Sequence, residues 1–285
     1  MEAMLSEGEL GRVCVVLVRA RNPSNIGAVA RAMHDFGFGR LRVVNEFPVP
    51  FEAAKSAVDA SEVMASAMKC ASVAEAVADC TLVVGTTAVG ERDVQHELLQ
   101  LSEAAVRMRA ELREPTHDGQ AVMDGAPGRG GNAGRVALLF GSEKTGLSNE
   151  ELSHCNWLLT VPMWEHVEVR HPSMNLGQAV AVCLYELVRN PTHADQAVMN
   201  GVPVEPTSQN RDMGHPAEAA VLERLSALLS EVLERTEYTR RHPADRNPAQ
   251  MRRLVRRMGV NAEDAPVWMG ILRQVLWKLG GERGE

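Results

Sequence analysis

The sequence predicts an α/β fold: a mostly parallel sheet with helices on both faces, followed by a small all-helical appendage. Three observations carry this. Five short apolar runs lack polar–apolar alternation and therefore suit strands buried on both faces. Segments with apolar residues at helical spacing lie between them, the order of a parallel α/β domain. Beyond residue 216 the pattern is helical throughout.

The runs are Val13 to Val18, Leu41 to Val44, Thr81 to Gly85, Arg135 to Phe140 and Trp157 to Val161. After the first comes a helix on which Ile26, Val29, Ala30, Met33 and Phe36 recur at helical spacing, with Gly37 as its stop signal. The Ala-rich stretch from Phe51 to Ala78 reads as two short helices, and Ser102 to Leu112 as another. The Gly-rich segment from Glu114 to Gly134 reads as a loop; its GRGGNA is a poor dinucleotide fingerprint, because no strand precedes it and no amphipathic helix follows. From Asn175 to Val188 nearly every residue is apolar, so that helix must be buried on several sides, by its own sheet and by a partner subunit. Prolines at 191, 203, 206 and 216 mark a linker. Three amphipathic helices follow, around Val221 to Leu233, Met251 to Met258 and Val267 to Leu279. The expected division is thus a domain over residues 1–190, a linker over 191–216 and an appendage over 217–285.

At 285 residues, 45% of them hydrophobic and 24% charged, the chain has enough apolar side chain for a core, and disorder is excluded as its default state. No apolar run approaches the roughly 18 residues that span a bilayer, and the N-terminus carries acids where a signal peptide carries Lys or Arg, so a cytoplasmic protein is expected. Five scattered cysteines without a CxxC pair read as reduced core thiols. The net charge of -7 argues against a polyanionic partner, yet the charge is uneven. Arg235 to Arg257 holds eight Arg against Glu237 and Asp245, which locates any polyanion contact in the C-terminal third. Within it Arg252, Arg253, Arg256 and Arg257 fall opposite Met251, Leu254, Val255 and Met258, which predicts one exposed cationic face; a merely solvated face is the competing reading.

Three segments combine Gly with polar groups where strands end, the place at which open α/β sheets bind ligands. In the first, Asn22, Ser24 and Asn25 are candidates for capping the following helix. Arg31 lies off its apolar stripe, one turn beyond Gly27, near a helix N-terminus that favours phosphate. In the second, Gly141 to Leu147 forms a Gly-containing turn into a capping box of Ser148 and Glu151; Glu143 lies in that turn. In the third, Ser173 and Asn175 stand at the N-terminus of the apolar helix, just before Gly177.

Taken in order, these segments resemble the three motifs of the SPOUT superfamily of RNA methyltransferases, SpoU/TrmH branch. Asn25, Gly27 and Arg31 match the first; Gly141, Glu143, Gly146 and Leu147 the second; Ser173, Asn175 and Leu176 the third. The resemblance covers roughly residues 12 to 190, and three ordered motifs are specific where one would be weak. The helical appendage is similar to that of the TrmJ type, which methylates the ribose 2′-oxygen of cytidine or uridine at tRNA anticodon-loop position 32. This chain departs from the pattern with Ser142 and Lys144 where Arg is common, and with Met174 between Ser173 and Asn175 where Leu is usual.

The resemblance implies a C-terminal trefoil knot, a homodimer sharing its active-site region, and S-adenosylmethionine as methyl donor with no metal required. Donor contacts would come from Thr86, Gly141, Val161, Met163, Ser173 and Met174. Asn25, Glu143, Ser173 and Asn175 would position the ribose and Arg31. Arg31 would either take the proton of the 2′-hydroxyl or, permanently charged, stabilise the alkoxide and clamp the phosphate. The Arg252 to Arg257 cluster would bind tRNA. His166 and His171 have no metal-ligand pattern. Two rivals remain: methylation of another tRNA site or of ribosomal RNA, the TrmJ-like appendage favouring tRNA, and a catalytically silent RNA-binding protein of the same fold. An oxidoreductase is excluded by the lack of a Gly-rich fingerprint after the first strand.

Overall fold

The computed structural model describes residues 5–45, 61–88, 95–113, 134–164, 174–189 and 215–281. After a one-turn helix α1 (Glu7–Leu10), which closes with a Ser6–Glu9 capping box, come β1 (Val13–Val18), α2 (Pro23–Asp35), β2 (Arg40–Val44), α3 (Ser61–Ala65), β3 (Met68–Cys70), α4 (Val73–Ala76) and β4 (Leu82–Thr86). The domain continues with β5 (Leu98–Gln100), α5 (Leu101–Leu112), β6 (Val136–Phe140), α6 (Asn149–Leu152), β7 (Trp157–Thr160) and α7 (Leu176–Val188). All seven strands join one sheet in the order β3-β2-β1-β6-β4-β7-β5, and every neighbouring pair is parallel.

The apolar runs form strands because the sheet is covered on both sides. Val13, Val15 and Leu17 of β1 enter one core with Val136, Leu138 and Phe140 of β6, beneath α2, α5 and α7. Cys14, Val16 and Val18 enter a second core with Ala137, Leu139 and Leu152. Each side chain of such a strand removes apolar surface from water, about 1.5–3 kcal/mol for a fully buried Val or Leu. All five cysteines are buried and free of disulfides, as the scattered spacing predicts.

Two strands escape the sequence reading. Within the Ala-rich stretch, β3 stands between α3 and α4 instead of a continuous pair of helices. Its three residues pair with the edge of β2, so a tertiary ladder overrides local helix propensity. In the same way β5 pairs only with β7 at the other edge. The apolar helix α7 buries Leu176, Gly177, Val180, Cys183, Leu184 and Leu187 against α2 and α5, while Tyr185 is exposed. Residues 46–60, the Gly-rich segment 114–133, the linker residues 191–214 and the approach to the third motif, 165–173, lie outside the described residues, and with the last of these the threading of the expected knot.

The appendage consists of α8 (Ala219–Arg235), α9 (Tyr238–Arg241), a 3-10 turn (Pro243–Arg246), α10 (Pro248–Arg257) and α11 (Asp264–Gly281) around a core of its own that includes Leu222, Leu225, Val255 and Leu272. Its first helix has no side-chain cap; the N–H groups of Ala219 and Ala220 donate instead to the carbonyls of Cys80 and Ala78, at 2.9 and 3.0 Å. The main domain thus supplies the cap, which fixes the appendage against the second face of the sheet. Among the described residues no helix is long and apolar enough to cross a membrane.

Candidate active site

Polar side chains from three distant segments meet at the carboxyl edge of the sheet. Asn22 caps α2 by accepting from the Ser24 N–H at 2.9 Å, and Pro23 occupies the first helical position. Because the cap is filled, the Asn25 side chain is available for tertiary contact. Its Nδ2 donates to Glu143 Oε1 at 3.0 Å, and its Oδ1 accepts from Asn175 Nδ2 at 3.1 Å. Asn175 meanwhile caps α7, its Oδ1 accepting from the Gly177 N–H at 3.0 Å. Glu143, Asn25 and Asn175 therefore form one chain of hydrogen bonds linking the three motifs.

Glu143 also accepts from the backbone N–H groups of Arg21 and Asn22, both at 3.3 Å, at the positive end of α2. Partial burial pushes its carboxyl up, but the Asn25 amide and the surrounding backbone N–H groups outweigh burial and hold it below the usual value. It is an acceptor that orients amides around it, charged at neutral pH.

The turn carrying Glu143 is closed by Gly146 N–H donating to the Ser142 carbonyl at 2.8 Å, and Gly146 has φ +64. A Cβ on Gly141 would lie 2.1 Å from the carbonyl carbon of Gly146, so the turn folds back onto Gly141 and only glycine fits there. Likewise a Cβ on Gly177 would lie 2.7 Å from Ala28 Cβ, so glycine lets α7 approach α2 closely enough for Asn175 to reach Asn25.

Beside this chain, Thr86, Gly141 and Val161 follow or end β4, β6 and β7, three adjacent strands in the order β6-β4-β7. Thr86 Oγ1 donates to the Leu139 carbonyl at 2.9 Å, and Val161, Met163 and Met174 are half-buried. This row of half-buried residues lies at strand ends, the place at which open α/β sheets bind ligands. Arg31 stands exposed on α2, six residues beyond Asn25 and about 9 Å along the axis. Ser173 lies outside the described residues. Among those described, no group of three His, Cys, Asp or Glu side chains is placed to hold a metal ion.

One residue of this edge was missed in the sequence. Arg19, directly after β1, reaches Glu151 and the Gly146 carbonyl. An arginine at the carboxyl end of the first strand and the second acid of the NEEL capping box were the available signals.

The arginine helix departs from expectation. Arg252, Arg253, Arg256 and Arg257 do not share one exposed face. Arg252 is inserted between domain and appendage, with Nη1 donating to Glu150 Oε1 at 2.6 Å and to Ser153 Oγ at 3.2 Å, and Nε to Glu223 Oε1 at 2.8 Å. Arg256 is buried at 9% exposure, and Leu254 and Met258, expected inside, are exposed. Arg257 is exposed and Arg253 half-buried. Helix α10 is rotated because it must fill the angle between α8 and the main domain, which places acids Glu150 and Glu223 against Arg252. Next to them His154 is 6% exposed; burial, then the Arg252 charge, push its imidazole below the usual value.

A parallel sheet with a hydrogen-bonded polar cluster at its carboxyl edge, next to a half-buried shelf formed by three adjacent strand ends, defines a ligand-binding α/β enzyme domain. The SpoU rRNA Methylase family model matches residues 12–185, the span that carries all three motifs, and the chain belongs to that family. It is accordingly an RNA methyltransferase. Among similar proteins, the tRNA (cytidine/uridine-2′-O-)-methyltransferase TrmJ of Cronobacter sakazakii is 31% identical over 277 residues, 97% of this chain and 99% of that protein. The enzyme of the same name from Yersinia pestis is 29% identical over 267 residues, 93% of this chain and 92% of that protein. Among solved structures, TrmJ from Z. mobilis ZM4 superposes with a TM-score of 0.69 at 27% identity, covering 92% of this chain and 98% of that one.

Proposed function

We propose that this protein transfers a methyl group from S-adenosylmethionine to a ribose 2′-oxygen of tRNA, at anticodon-loop position 32, in the cytoplasm and as a homodimer. The observation that carries the reading is the Glu143–Asn25–Asn175 chain, which draws residues 118 and 150 positions apart in sequence into one site. The near full-length likeness to tRNA 2′-O-methyltransferases, appendage included, supports the choice of tRNA over ribosomal RNA.

The donor supplies an electrophilic methyl carbon on a sulfonium. Thr86, Gly141, Val161, Met163 and Met174, with Ser173, would hold it at the carboxyl edge. The new bond joins that carbon to the 2′-oxygen, the carbon–sulfur bond breaks with its electron pair staying on the sulfur, which becomes a neutral thioether, and the hydroxyl proton passes to solvent water. Asn25 and Asn175, each already oriented by a neighbour, present amide groups to the ribose and fix it on the attack line. Glu143 sets the direction of Asn25 and with it that of Asn175. In this reading Arg31 stabilises the developing oxyanion and holds the adjacent phosphate. The knot and the dimer follow from the same family reading. The outer stripe of α7, with half-buried Ala181 and Val182 and exposed Tyr185, is the proposed contact between subunits. Arg253 and Arg257 remain as the outward RNA contacts of α10.

The test is methylation of bulk tRNA from a deletion strain with labelled donor, followed by nucleoside analysis. Formation of 2′-O-methylcytidine or 2′-O-methyluridine is expected, with a dimer mass by light scattering. Product only with ribosomal RNA, or none with any RNA, would transfer the chain to one of the rival readings.

A further inference from the structure

We infer that Arg19 is a positioning residue for the methyl transfer: its guanidinium locks the Glu143 turn in place and so sets the Glu143–Asn25–Asn175 chain. The inference rests on the methyltransferase reading above. Arg19 follows β1, and β1 lies beside β6 in the sheet, with Leu17 level with Phe140. The end of the first strand is therefore one of the two strand ends that flank the turn after the sixth. Arg19 leaves the strand in the left-handed region, φ 57, one of two non-glycine residues described that do so. Its N–H remains tied to the Val44 carbonyl at 2.8 Å, so the change of direction is taken up by the onward chain.

To described residues the side chain makes three hydrogen bonds, across 132 and 127 positions of sequence. Nε and Nη2 grip Glu151 Oε1 and Oε2 at 2.6 and 2.9 Å, and Nη2 also meets the Gly146 carbonyl at 3.1 Å. This two-pronged grip is the strong form of an ion pair, and it is partly shielded, the side chains being 30% and 13% exposed. Glu151 is the reciprocal acid of the α6 capping box, its Oε2 accepting from the Ser148 N–H at 2.6 Å. Arg19 thus holds both ends of the segment from Gly146 to Glu151. Gly146 in turn closes the turn by donating to Ser142, directly before Glu143. The place of the carboxylate depends on the place of this glycine turn, and Arg19 anchors the turn from the strand side.

The test uses the full-length protein. Asn adopts left-handed backbone readily, so Arg19→Asn removes the guanidinium while keeping the turn out of β1. We expect kcat to fall about ten- to hundredfold, the size of a small misplacement of reacting groups, with KM for tRNA and donor Kd within about twofold. Arg19→Lys, able to reach one acceptor group but not both, recovers part of kcat. Glu151→Gln keeps the cap acceptor and loses the charge; it lowers kcat in the same direction, and adds little in the double variant with Arg19→Asn. Independently of activity, hydrogen exchange at the Gly146 amide should accelerate in Arg19→Asn, with melting temperature nearly unchanged. Loss of tRNA affinity with unchanged kcat at saturating tRNA would make Arg19 an RNA contact and overturn the inference, as would unaltered exchange at Gly146. If the wild-type protein methylates no tRNA, the exchange measurement alone decides on Arg19 while the functional reading fails by itself.

Discussion

The carboxyl edge of the sheet and the arginine helix α10 are both polar clusters legible in the sequence, and the structure treats them in opposite ways. At the edge, Asn25, Glu143 and Asn175 come from separate segments and end up bonded to one another. On α10, Arg252 and Arg256 stand one helical turn apart and end up turned inward, Arg252 against Glu150 and Glu223. The difference lies in what decides direction. In a parallel sheet every strand ends on the same side, so residues that follow strands converge whatever the details of packing. A helix with charges on two of its faces has no such constraint, and the face that is buried depends on the neighbour that covers it.

Several experiments would break or sharpen this contrast. The largest effect is expected at the edge: Arg31→Ala should lower turnover by about a factor of 10² to 10³, with donor binding by calorimetry nearly intact. Lost donor affinity with residual turnover at saturating donor would assign Arg31 to the donor side instead. Glu143→Gln keeps the acceptor for Asn25 but removes the charge, and should cost about tenfold in kcat with little change in stability.

At the docking site the effect is on stability. Arg252→Met leaves Glu150 and Glu223 without their shared partner and should destabilise the fold by about 1–2 kcal/mol, read by urea denaturation. An unchanged midpoint would mean that the appendage is held without this contact. His154 adds a pH signature of known sign. Its folded value lies below its unfolded one, so the unfolded chain binds the extra proton; stability is full above the unfolded value near 6.5 and declines as pH falls toward the folded one. His154→Gln should flatten that decline by about 2 kcal/mol between pH 7 and pH 5.

The smallest effect belongs to the residues still facing outward. Replacing Arg253 and Arg257 by Gln should flatten the slope of log tRNA affinity against log salt by about one to two units, and the same change at Arg252 should not. A larger slope change from Arg252 than from the outward pair would restore the single cationic face that the sequence predicts.

Much of the fold was legible because burial leaves a direct trace. Val13–Val18 and Val136–Phe140 are buried at every position, so neither shows alternation, and both were readable as interior parallel strands. The strands β3 and β5 were not, because each has three residues and depends on an edge partner more than on its own composition. In the site, Asn25, Glu143 and Asn175 were recognisable from their motifs, but which asparagine caps and which reaches across was not. Asn22 and Asn25 have the same chemistry, and Pro23 settles the cap on Asn22 only once the helix start is fixed.

By itself, the sequence determined the parallel sheet, the two-sided core and the three polar segments at strand ends, because these depend on local hydrophobic pattern and on a topology in which strand ends share an edge. The tertiary structure alone decided the Arg19 grip, spanning 132 residues, and the inward turn of Arg252 and Arg256. The Arg19 grip and the inward turn of Arg252 rest on pairing a charge with a distant acid, and an ion pair between remote segments has no local pattern: its energy exists only when folding has brought the partners within hydrogen-bond reach and taken them part of the way out of water.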